Sequence, residues 1–132
     1  MSKKKYYLLV SLIALLFFLA LLVKQYLYGE HRNIASEKAT MEISATELES
    51  RFASNQSLTS KNLLDKVIAV HGKINAIEIN SVIIDNKVQA NLLNGNMDNI
   101  AVGDIITVKG RCIGYDDLLE IVKIDQATQI LN

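Results

Sequence analysis

The stretch KVIAVHGKINAIEIN, residues 66–80, decides the fold of most of this chain. Ile68, Val70, Gly72, Ile74 and Ala76 fall on one phase of a period-two alternation, and Val67, Ala69, His71, Lys73 and Asn75 on the other. Successive side chains of a strand point to opposite faces, so the pattern predicts a strand with one face toward a core. At Ile77 and Ile79, on either side of Glu78, the phase slips by one residue, as a β-bulge produces. Gly72 marks a sharp bend. A long, bent strand of this kind suits a small barrel.

Toward the C-terminus, Val82 to Ile84 reads as a short second strand and Asp85-Asn86 as a turn. Val88, Ala90 and Leu92 form a third strand. In VGDIITVKGRCIG, residues 102–114, the turn signal Gly103-Asp104 precedes Ile106, Val108, Gly110 and Cys112 on one face. Thr107, Lys109 and Arg111 lie on the other. A last strand covers roughly Glu120 to Ile130. Toward the N-terminus, Ser44 stands three residues before Glu47, the spacing of a capping box. Leu48 and Phe52 share a face with Ala45, which places a helix over about 45–54. Ser54-Asn55-Gln56-Ser57 ends it, and Leu63-Leu64 fits another short helical turn.

Five strands after one helix leave edges that closure into a barrel removes. The expected domain is a mainly β, five-stranded barrel with a preceding capping helix, whose Phe52 plugs the open end. Its expected core is Leu48, Phe52, Ile68, Val70, Ile74, Val88, Ala90, Leu92, Ile106, Val108 and Cys112, with Ile124 from the last strand.

The first 28 residues follow different physics. Lys3, Lys4 and Lys5 precede an uncharged apolar run, Tyr6 to Val23, followed by Lys24, Tyr26 and Tyr28. As a helix this run is about 27 Å long, close to the hydrocarbon thickness of a bilayer. A cleaved secretory signal shares these basic and apolar parts, but a small-x-small cleavage site is missing. A cut after Gly29 leaves Leu27 at the −3 position, and one after Ala35 leaves Asn33. The length of the run and the interfacial tyrosines favour an uncleaved anchor. The only cysteine is Cys112, so no lipid-bearing cysteine follows the run. The expected partition is 1–28 cytoplasmic tip and transmembrane anchor, 29–42 stalk, and 43–132 barrel domain. The lysines ahead of the run place the N-terminus in the cytoplasm of a bacterium and the domain in the periplasm, anchored in the inner membrane.

Charge narrows the function. Residues 41–132 hold eight basic and twelve acidic side chains, a net of −4. Nucleic-acid binders draw most of their affinity from Lys and Arg against phosphates, so this sign is wrong for one. Six of the eight aromatics lie in residues 1–28, leaving Phe52 and Tyr115, too few for a base-stacking platform. A lone cysteine excludes an internal disulfide. His31 and His71 form no cluster with metal-ligand spacing.

The segment Glu47-Leu48-x-x-x-Phe52, with Asn55 and then Lys66-x-Ile68-x-Val70-x-Gly72-x-Ile74, resembles the bacterial tRNA anticodon-binding-like OB-fold family. So does Val102-Gly103-Asp104-x-Ile106-Thr107-Val108-Lys109-Gly110-Arg111-Cys112-x-Gly114. The resemblance covers about residues 42–130. It implies an OB fold and a Bacteroidetes-type envelope protein or lipoprotein, the family name reflecting fold rather than RNA binding. Family members often carry a second cysteine on the last strand, where this chain has Ala127.

Among single residues, Cys112 shares its face with Ile106 and Val108 and reads as a buried apolar group. His71 reads as a surface histidine. Lys73, Lys109 and Arg111 are the candidates for binding an anionic ligand. Asp116-Asp117 with Glu120 has oxygen ligands but not the loop spacing of a calcium cage. No nucleophile, base and orienting group come together, so no catalytic, cofactor-binding or metal-binding residue is assigned. The expected function is a non-enzymatic binding module without a cofactor. Its partners are the membrane, through residues 6–23, and another envelope protein or ligand, with oligonucleotide or other polyanion binding as the alternative.

Overall fold

A computed structural model describes residues 2–27, 32–95 and 97–131. The chain divides into two units, Met1–Arg32 and Asn33–Asn132. The first is a single α-helix, α1 (Lys3–Leu27), with no buried residue and with length and composition sufficient to cross a membrane. Tyr28 and residues 29–31 of the expected stalk lie outside the described residues.

The second unit begins with a 3-10 turn at Ile34–Ser36, capped by the Asn33 side chain, which accepts from the Ser36 amide. Its elements are β1 (Glu42–Ser44), α2 (Ala45–Ser54), α3 (Gln56–Leu63), β2 (Val67–Ile77), β3 (Ser81–Ile84), β4 (Val88–Leu92), β5 (Ile105–Asp116) and β6 (Ile121–Ile130). The sheet order is β1-β2-β3-β4-β6-β5, and β2 pairs with β5 to close the barrel. β4 and β6 run parallel, while the other barrel pairs are antiparallel. This is a closed five-stranded OB-type barrel, β2 to β6, as the alternation predicts.

Local chemistry sets the elements. Ser44 Oγ accepts from the Glu47 amide at 3.2 Å, and Glu47 pairs with Arg51 one turn on at 2.8 Å. Asn55 ends α2 through its own N–H to the Arg51 carbonyl and starts α3 by accepting from the Leu58 amide. Asp85 and Asn86 both take positive φ, 51° and 53°, the geometry of a tight hairpin turn between β3 and β4. The expected bulge in β2 falls at Ile74/Ala76, one residue before the sequence slip suggests. Gly72 is needed for close approach, since a Cβ there would lie 2.4 Å from Asp85 Oδ2.

The barrel core contains every expected core residue except Leu92, which lies half-buried at its edge. Phe52 is fully buried and stacks on Tyr115, ring centroids 5.4 Å apart. α2 thus closes the barrel end where β5 meets β6. Met97 and Ile100 of the β4–β5 connection also pack on the core.

The structure differs from the sequence reading elsewhere as well. The strand β1 and the full helix α3 are additions. Val67 and Ala69, on the phase expected to face outward, are buried along with Ile34. From Asn33 onward the segment expected as stalk is laid on the barrel. The 3-10 turn contacts β5 and β6, and the Thr40 amide donates to the Val67 carbonyl at 2.8 Å.

Candidate functional site

Lys109 and Arg111 share the outer face of the β2–β5 ladder, opposite Ala69 and Val67. Both are engaged within the fold. Lys109 Nζ donates to the Ala35 carbonyl at 2.8 Å, pinning the 3-10 segment onto the barrel. Arg111 makes a two-pronged pair with Asp125 across the β5–β6 ladder, Nε to Oδ1 at 2.9 Å, and also lies 3.5 Å from Asp65. Such a bidentate pair fixes geometry and neutralises the guanidinium locally. Lys73 stands apart, exposed near the far end of β2, so the three candidates do not converge on one ligand position.

His71 is half-exposed, its Nδ1 3.8 Å from a Glu42 carboxylate oxygen. Cys112 is fully buried, and burial pushes its thiol up to about 11 against the opposing backbone hydrogen bond at Gly114. It is an inert core group at neutral pH.

A polar cluster absent from the sequence reading sits beneath the closed end. Tyr115 Oη donates to Glu49 Oε1 at 2.8 Å. Glu49 is nearly buried on the inner face of α2, and Lys87, from the β3–β4 turn, lies 3.7 Å from it and 3.5 Å from Glu120. The Tyr115 phenol is pushed up to about 12, first by desolvation, then by the hydrogen bond and charge of Glu49 and by the nearby carboxylates of Glu120 and Asp117. The phenol therefore stays protonated and acts as a donor. The cluster ties together α2, the β3–β4 turn and the β5–β6 tip. Its sequence signal was Glu49 itself, which falls on the Ala45–Leu48–Phe52 stripe.

At the tip, Asp116 Oδ1 accepts from the amides of both Leu118 and Leu119 at 3.0 Å, so this carboxylate shapes the turn. Among the described residues, no group of three or more His, Cys, Asp or Glu side chains could hold a metal ion.

The outer face of β3 and β4, where OB folds commonly hold oligonucleotides and oligosaccharides, presents Ile83, Gln89 and Asn91, all half-buried. Beside it Glu78 accepts from Ser81 Oγ at 2.6 Å and from Gln89 Nε2. That face offers neither an aromatic ring nor a cation from its two strands. Most of the domain's exposed apolar side chains lie instead at the barrel ends, apart from Leu58 and Leu64 at α3 and Ile113 on β5. Ile77, Ile79, Leu93, Val102, Ile105 and Leu131 surround one end, and Leu118 and Leu119 crown the hairpin at the other.

The model of the tRNA_anti-like family matches residues 1–124. No curated protein is a significant match. A crystal structure from Klebsiella pneumoniae, described as a "putative nucleic acid-binding lipoprotein", superposes with a TM-score of 0.53 at 16% identity. The match covers 74% of this chain and 95% of that one, a likeness of fold.

Proposed function

The chain belongs to the tRNA_anti-like family, and we propose that it is a membrane-anchored, periplasm-facing OB-fold module that binds another protein of the cell envelope without catalysing a reaction. α1 holds it in the bacterial inner membrane, with Lys3, Lys4 and Lys5 retained in the cytoplasm by the positive-inside rule. Asn33–Thr40 then forms the first layer of the outer domain rather than a free tether.

One observation carries the reading. The domain's two aromatic rings and four of its cations, Arg51, Lys87, Lys109 and Arg111, are engaged internally, while exposed apolar side chains gather at the two barrel ends. Phe52 and Tyr115 stack on each other. Lys109, Arg111 and Lys87 are held by Ala35, Asp125 and the Glu49–Glu120 carboxylates. Exposed apolar patches of this kind mark contacts with proteins or membranes.

The description of the Klebsiella neighbour supports a second reading, oligonucleotide binding. Titrating the outer domain, whose core is self-contained, into labelled single-stranded DNA and RNA at low salt separates the two. No saturable anisotropy change is expected at micromolar protein. Tight binding that weakens steeply with salt, and that Lys73→Ala, Lys109→Ala or Arg111→Ala diminishes, would replace the protein-binding reading.

A further inference from the structure

We propose that the β5–β6 tip, residues 116–120, is the docking point for the protein partner, and that the partner offers an apolar socket rimmed by Lys or Arg. The inference rests on the protein-binding reading above and names the surface and the complementary chemistry.

Two adjacent leucines stand at this tip, Leu118 91% and Leu119 64% exposed. A single exposed leucine is ordinary; a pair at the apex of the barrel's longest hairpin is an unpartnered apolar knob. The knob is held in place before any partner arrives. Asp116 Oδ1 fixes both leucine amides, and Glu120 takes a positive φ of 55° to close the turn. Glu120 also reaches Lys87, which reaches Glu49, which in turn accepts from Tyr115. The ladder below runs from Thr107↔Ile130 to Asp116↔Ile121, with register shifts at Lys109/Arg111 and Cys112/Gly114 and regular pairing from Gly114↔Lys123 to the tip. A loop ordered in advance loses little freedom on docking, which favours affinity.

Charge selects the occupant. Asp116, Asp117 and Glu120 bracket the leucines, and Lys87 beneath is shared between two carboxylates. Asp117 is exposed and makes no hydrogen bond or salt bridge among the described residues. An acidic collar is repelled by anionic lipid headgroups, so a bilayer is a poor receptor for these leucines. It also disfavours a second copy, because two such tips would bring like charges together. A protein socket with an apolar floor and basic rim matches both features, the charges setting encounter and register and the leucines filling the pocket.

The test uses the full-length chain in its native cell, with p-benzoylphenylalanine introduced at position 119 and, in a parallel strain, at position 79 at the opposite end. After irradiation, the expected product at 119 is one discrete heterologous adduct. Its cross-linked peptide should map to apolar residues with Lys or Arg beside them. Leu118→Ser and Asp117→Lys, both exposed sites, should each lower its yield about tenfold with the melting temperature unchanged. Adducts to lipid, to a second copy or to an uncharged surface overturn the proposal, as does a yield insensitive to Asp117→Lys. Adducts at 79 but none at 119 overturn the docking point while leaving the protein-binding reading intact. Silence at both positions removes both.

Discussion

Phe52→Ala is the perturbation that the barrel should tolerate least. Phe52 is fully buried, among the largest side chains in the core, and stacks at 19° on Tyr115. Truncating a buried Phe to Ala costs about 3–5 kcal/mol in lost transfer and cavity formation. The lost ring pair adds roughly 0.5–1.5 kcal/mol. Against a total stability of roughly 5–15 kcal/mol, this is about a quarter or more of what holds a domain of this size. With a urea slope of roughly 1–3 kcal/mol per molar, the midpoint should fall by about 2 M or the domain should not fold at all. The assay is equilibrium urea unfolding of residues 33–132, followed by far-UV circular dichroism and by Tyr115, the one tyrosine of that unit. Phe52→Leu keeps most of the buried volume and should recover more than half of the loss. A cost under about 1 kcal/mol for Phe52→Ala would refute the claim that α2 closes the barrel.

The remaining predictions probe other parts of the same structure. Cys112→Ser should cost about 1–3 kcal/mol, because it buries a hydroxyl in an apolar site, whereas half-exposed His71→Ala should stay within about 0.5 kcal/mol; the same urea titration reads both. Gly110→Ala should destabilise by more than about 1 kcal/mol, since the added Cβ would meet the Asp125 carbonyl oxygen at 2.8 Å and the Ile124 side chain at 2.4 Å. Alkaline pH should weaken the domain in a defined window. Cys112 and Tyr115 both have folded pKa values raised above their ordinary ones, so their stabilising contribution is complete below about pH 9. It is lost as pH rises through about 11 and about 12. Unfolding from pH 8 to 12 should show that loss, and Cys112→Ala with Tyr115→Phe should flatten it relative to the parent chain.

What was legible in the sequence was whatever repeats locally. The alternations through Ile68–Ala76 and Ile106–Cys112, the capping box at Ser44 and the Asp85-Asn86 turn each carry their signal within a few residues. The barrel and most of its core followed from them. What stayed hidden depends on distant partners. Val67 and Ala69 carry an outward phase, and their burial comes with a polar segment that has one apolar anchor, Ile34. β1 is three residues long, too short for a period, and exists because β2 offers it a parallel edge at Ala69–His71. The helix α3 is polar on most of its surface, so Asn55 looked like a stop when it is both stop and start. Lys109 and Arg111 read as an anion-binding pair because nothing near them in sequence shows the Ala35 carbonyl or Asp125. Glu49 was legible in principle, as a carboxylate on the apolar stripe of α2, which demands a donor such as Tyr115.

The central claim is a barrel displayed outside the cytoplasm on an uncleaved helix, and protease accessibility tests it most directly. Spheroplasts expressing the full chain with tags at both ends should lose the C-terminal tag to added protease. The N-terminal tag should stay protected until the membrane is opened, and the untreated protein should sediment with the membrane at full length. A C-terminal tag that survives in intact spheroplasts contradicts the orientation. A shortened product free in the periplasmic fraction contradicts the anchor.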